Sequence, residues 1–181
     1  MRTPALPIAR ELATGPCTGA ATAPAPSRAR VGTLHRGRRE SDGYRAGVTV
    51  ERPAWLDAGQ MSPLDDKLGI RITDFDPDHV VATMPVEGNQ QPFGLLHGGA
   101  TCSLVETVGS WAAALGAGPD RQAVGVELNV SYLRAATEGV VTAVATPVRR
   151  GRTLATFTIE VTDEQGRVTA SARLTCMLLA A

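Results

Sequence analysis

Only one stretch of this chain can form a long helix, and the segments around it alternate between apolar and polar residues. Residues 98–116, GGATCSLVETVGSWAAALG, contain no proline and are rich in alanine, with length enough for about five turns. Leu104, Val105, Val108, Trp111, Ala112 and Leu115 recur at helical spacing on one face. Ser103, Glu106, Thr107 and Ser110 fall on the opposite face. Gly116 and Gly118 stop the helix, with Pro119 behind them. Downstream, AVGVELNVSYL, GVVTAVATPV, TLATFTIEVTD and VTASARLTCMLL read as strands, separated by turn signals at RAATEG, RRGRT and DEQGR. Upstream, Ile70, Ile72 and Phe75 alternate, DPD turns the chain, and Val80, Ala82 and Met84 alternate again. A short helix is expected at SPLDDKLGI, with Ser62 as its cap, Pro63 at the first position and Asp65 and Asp66 in the first turn. A helix with one apolar stripe and a sheet with one apolar face each need a single cover. They supply it to each other in an α+β domain whose antiparallel sheet curls around the one long helix.

The domain is expected to span residues 51–181. Residues 1–50 read as a disordered tail rich in Arg, Ala and Pro, with few large apolar side chains and no period. They carry eight Arg against three acids, whereas the remainder carries ten bases against fifteen acids, so the folded part is mildly acidic and lacks the electrostatic footprint of a nucleic-acid binder. Cys17, Cys102 and Cys176 are far apart and form no CxxC or CxxH pair, which argues against a zinc site or a disulfide framework. No metal is expected. No run approaches the roughly 18 apolar residues of a membrane span, and no secretory h-region opens the chain. A cytoplasmic protein with reduced thiols is expected.

The chemistry concentrates in QPFGLLHGG, residues 91–99, and the helix that follows. The amides of Gly98 and Gly99 lie in the first helical turn, where N–H groups lack intrahelical acceptors and the helix end carries partial positive charge. Such a place suits an oxygen that becomes negative in a transition state. Gln91 adds an uncharged amide donor. Glu106 is the only charged side chain in the helix, able to act as a general base for water or as a nucleophile. Ser110, one turn on, can hold the attacking water. Glu106 lies nine residues beyond His97, so it rises ~13 Å along the helix and sits half a turn out of phase. It cannot reach a carbonyl held at the start of its own helix. A two-fold partner with an antiparallel helix can supply it, giving composite sites in an isologous dimer. The same residues also fit a plainer account, in which His97 caps the helix, GG permits a tight turn and the polar stripe is a solvated face.

The combined pattern QPFGLLHGG, with Glu106 nine residues past His97 and Ser110 four beyond that, resembles the hotdog-fold acyl-CoA thioesterases, in the branch of PaaI-like and hydroxybenzoyl-CoA thioesterases. The resemblance runs from about Leu64 to Leu179. It implies a sheet wrapped around the helix, dimers joined edge to edge, and pairs of dimers that form a homotetramer. It implies Glu106 as nucleophile or general base, Gly98 N–H and Gln91 polarising the thioester carbonyl, His97 in support, and Ser110 orienting water. It implies no cofactor, coenzyme A being part of the substrate. Phe93, Leu95 and Leu96 are candidates for the acyl pocket, with Gly99 also at the substrate. Arg149, Arg150 and Arg152 cluster in one predicted turn and suit the nucleotide phosphates, Arg152 first, with Arg134 at the end of another strand. The rival readings are a non-catalytic acyl-CoA sensor or scaffold, and an enoyl-thioester hydratase or dehydratase on the same fold.

Overall fold

The structure is a computed structural model that describes residues 52–53 and 62–181; the expected tail, residues 1–50, and Cys17 lie outside the described residues. The elements follow the order α1 (Pro63–Leu68), β1 (Arg71–Asp76), β2 (His79–Pro85), α2 (Gly98–Ala117), β3 (Arg121–Tyr132), β4 (Val140–Arg150), β5 (Leu154–Thr162) and β6 (Val168–Ala180). The six strands form one sheet in the order β1-β2-β4-β5-β6-β3, every neighbouring pair antiparallel. The long helix α2 lies against it and touches all six strands. This is the hotdog arrangement expected from the pattern.

Local chemistry explains the element ends. Ser62 caps α1 by accepting the Leu64 N–H at 3.1 Å, Pro63 takes the first helical position, and Gly69 closes the helix in the left-handed region at φ 69°. Alternation decides the faces of β2, where Val80, Ala82 and Met84 are fully buried. Leu104, Val105, Val108 and Ala112 of α2 are buried against Phe157, Ile159 and Leu174 of the sheet. Each of these large side chains contributes roughly 1.5–3 kcal/mol when fully buried. Gly109 brings the helix close to the sheet: a Cβ there would stand 2.6 Å from Leu174 Cδ2. Trp111 and Leu115, expected on the buried face, are only half-buried. They lie where the stripe drifts off the sheet, and the Trp111 ring meets Phe75 edge-on at 5.6 Å between centroids.

The two sheet edges differ. β1 is a strand of 6 residues, whereas β3 runs for 12. Val124 and Val126 on β3 are 47% and 51% exposed. A long edge with apolar side chains in water is open to pairing with another strand. No helix among the described residues is long and apolar enough to cross a membrane.

Candidate active site

The loop from Val86 to His97 is held by its own backbone. Asn89, buried to 8% exposure, donates its side-chain amide to the carbonyls of Leu68 at 2.8 Å and Pro85 at 2.9 Å. Its carbonyl accepts the His97 N–H. Gln91 N–H donates to Leu95 O and Gly94 N–H to Gln91 O, a turn that needs Gly94 at φ 78°. Gln91 Oε1 accepts the Phe93 N–H at 2.6 Å, which leaves the Nε2 end of the side chain to serve as a donor. Gln91 thus acquires a fixed direction before any ligand arrives.

His97 is the N-cap of α2, its Nδ1 accepting the Gly99 N–H at 2.8 Å. That corrects one expectation: the Gly99 amide is engaged by the cap and is not a second open donor. Gly98 N–H has no acceptor among the described residues. Tyr132, at the end of β3, donates its hydroxyl to Gly98 O at 3.0 Å, and its oxygen lies 3.1 Å from Cys102 Sγ. The Cys102 thiol, then burial, push the phenol up to about 12, so the hydroxyl keeps its proton at neutral pH. A Cβ on residue 98 would stand 3.0 Å from the Tyr132 ring, so a larger residue there would push the tyrosine aside. Gln91, Leu95, Leu96, Gly98, Tyr132 and Arg134 border one cavity. Phe93 is 87% exposed and lies outside that lining.

Glu106 and Ser110 lie in a different cavity, with Asp65, Thr107, Leu64 and Trp111. Glu106 is exposed on the single chain and reaches across β3, where a Cβ on Gly125 would stand 3.1 Å from its Oε1. Gly125 borders an irregularity in the β3–β6 register and pairs with Cys176. Burial pushes the Cys176 thiol up, the Ser110 hydroxyl opposes that rise, and the nearby Glu106 carboxylate adds to it. Ser110, Cys176 and Glu106 therefore form one neighbourhood, separate from the Gln91–Gly98 pair.

The arginines of the β4–β5 turn lie away from the Gly98 cavity. Arg150 and Arg152 border a third cavity with Gly116 and Ala117, at the far end of α2, about 30 Å of helix from Gly98. Arg150 is committed to Asp78 and the Pro77 carbonyl and lies over the Phe157 ring, Arg152 receives the Arg121 guanidinium on its carbonyl, and Arg149 is exposed. Arg134 alone among the candidates shares the Gly98 cavity. The roles of Tyr132, Asn89 and Asp65 carried no sequence signal: each depends on a contact with a residue far away in the chain, Gly98, Leu68 and Thr107 respectively.

The Thioesterase superfamily model matches residues 93–170. A Deinococcus radiodurans protein with a provisional esterase name is 50% identical over 125 residues, covering 67% of this chain and 77% of that protein. The Escherichia coli 1,4-dihydroxy-2-naphthoyl-CoA hydrolase is 42% identical over 113 residues, 62% of this chain and 83% of its own. The crystal structure of a Haemophilus influenzae thioesterase superposes with a TM-score of 0.63 at 38% identity, covering 65% of this chain and 82% of that one. Identity of this level across most of each relative's length is kinship of family as well as of fold, and the chain belongs to the thioesterase superfamily as a hotdog-fold thioester hydrolase.

Proposed function

We propose that a two-fold pair of these chains hydrolyses an acyl-CoA thioester to free coenzyme A and a carboxylic acid. One observation carries this reading: both half-sites lie along the edge strand β3, the Glu106 carboxylate over Gly125 and the Gly98 turn under Tyr132. Seven residues of strand separate them, roughly 23 Å. Antiparallel pairing of two β3 strands about an axis near Asn129 would bring the Gly125 end of each chain to the Tyr132 end of the other. Each Glu106 would then face the Gly98 N–H and Gln91 Nε2 of its neighbour.

In that site Gly98 N–H and Gln91 hold the thioester oxygen and stabilise the charge that grows on it. Glu106 takes a proton from a water steadied by Ser110, and the resulting hydroxide adds to the carbonyl carbon. The tetrahedral intermediate collapses with cleavage of the C–S bond, and Glu106 returns the proton to the departing thiolate. Direct attack by Glu106 gives an anhydride that water opens, with the same products. Tyr132 holds the Gly98 carbonyl, so the Gly98–Gly99 peptide is fixed at both ends, its oxygen by Tyr132 and its N–H by the His97 cap. Arg134, in the cavity with Gly98, is the cation that best meets a coenzyme A phosphate; Arg149, Arg150 and Arg152 remain candidates only through a neighbouring chain.

Thiol release across alkyl and aryl acyl-CoAs tests the reading. Turnover of at least one member at about 1–10³ s⁻¹ is the expected result. Tight binding with no thiol released would identify a sensor instead, and loss of enoyl absorbance without thiol would identify a hydratase.

A further inference from the structure

The cavity that holds Glu106 contains a second carboxylate to which the reaction above gives no task. Asp65 of α1 is only 3% exposed, yet it borders that cavity beside Glu106, Thr107 and Ser110, with Leu64 and Trp111 as apolar walls. Its Oδ1 accepts the Thr107 hydroxyl at 2.7 Å, and among the described residues it forms no ion pair. A carboxylate offers about four acceptor positions, of which Thr107 fills one. The start of α1 and the Thr107 hydroxyl offset part of the cost of burying such a group, and its remaining acceptor positions are open to a further donor. Asp65 and Glu106 line the same cavity, so a substituent on an acyl group whose carbonyl meets Glu106 can approach Asp65.

We propose that Asp65 is a specificity-determining residue, which accepts a hydrogen bond from a donor on the acyl group and so selects acyl-CoAs bearing a hydroxyl or ammonium over those bearing carbon alone. This rests on the acyl-CoA hydrolysis argued above. A site built around a buried acceptor rejects the analogue that lacks the donor, because binding then leaves the acceptor unpaired, whereas an apolar pocket discriminates only weakly.

The experiment compares kcat/KM for matched pairs: benzoyl- against hydroxybenzoyl-CoA, butanoyl- against 3-hydroxybutanoyl-CoA, and butanoyl- against 3-aminopropanoyl-CoA. The wild type is expected to favour the donor-bearing member of at least one pair by about 10-fold or more. Asp65→Val should bring that ratio close to one, slowing the donor-bearing member and relieving the penalty on the member without a donor. Asp65→Asn, nearly isosteric, should keep part of a hydroxyl preference and lose an ammonium preference, which separates the two donors. Thr107→Val removes the internal hydrogen bond but leaves the acceptor, and should retain the ratio. A wild-type ratio near one in every pair, an unchanged ratio in Asp65→Val and Asp65→Asn, or equal losses for both members in the Asp65 and Thr107 variants would overturn the proposal, the last by reducing Asp65 to a clamp between helices. If no acyl-CoA is hydrolysed, the function assigned above fails, and equilibrium binding of the same pairs still reads the Asp65 preference with the same two outcomes.

Discussion

Glu106→Ala is expected to lower kcat for thioester hydrolysis by about 10³-fold, with little change in stability. The two halves of that expectation rest on different observations. The loss follows from chemistry, since Glu106 is the only ionisable carboxylate on the α2 stripe and lies one turn from the Ser110 hydroxyl. The other carboxylate of that cavity, Asp65, belongs to α1 and is directed to Thr107. The preserved stability follows from structure. Glu106 is exposed on the chain and forms no ion pair among the described residues, and alanine is the stronger helix former. Substitutions at such positions usually stay within about 0.5 kcal/mol. Urea unfolding and gel filtration alongside the thiol assay separate the two halves. Unaltered turnover in Glu106→Ala would remove the carboxylate from the mechanism.

The second large effect concerns the β3 edge. Val126→Glu combined with Asn129→Glu is expected to yield a folded monomer with thiol release reduced by about 10²-fold or more. Both side chains are exposed on the single chain, so the domain itself tolerates the change. Around a two-fold axis near Asn129, however, the new carboxylate at 129 is set close to its symmetric copy, where like charges across a strand pair repel, and the one at 126 puts a charge into the seam in place of an apolar side chain. The monomer keeps every named residue and loses only their meeting. Sedimentation gives the oligomeric state and circular dichroism the fold. A monomer with wild-type turnover would mean that the site is complete within one chain.

The fold was legible because its signals are local and periodic. The α2 stripe, the alternation in β2 and the Ser62–Pro63 start of α1 each depend on residues within a turn or two of one another, and the structure has them as expected. That Gln91 and Gly98 lie together on one cavity could be read for the same reason, since they belong to a loop running into a helix start. What was not legible depends on distance in the chain. Tyr132 reaches Gly98 across 34 positions and Asp65 reaches Thr107 across 42, and no period or motif announces such pairs. The arginine cluster could not be resolved from sequence, because a run of like charges looks the same whether its members face a ligand or, like Arg150, close on Asp78 and Phe157. The engagement of the Gly99 amide could not be decided from sequence, because a capping histidine and a catalytic one occupy the same place.

Subunit complementation tests the composite site most directly. Glu106→Ala and Gln91→Ala chains, each nearly inactive alone, are mixed in equal amounts and allowed to exchange partners, with exchange verified by native mass spectrometry. Half of the resulting dimers are mixed, and each mixed dimer joins one intact Gln91 to one intact Glu106, so recovery of up to about a quarter of wild-type activity is predicted. Complete exchange with no recovered activity would contradict a site shared between two chains.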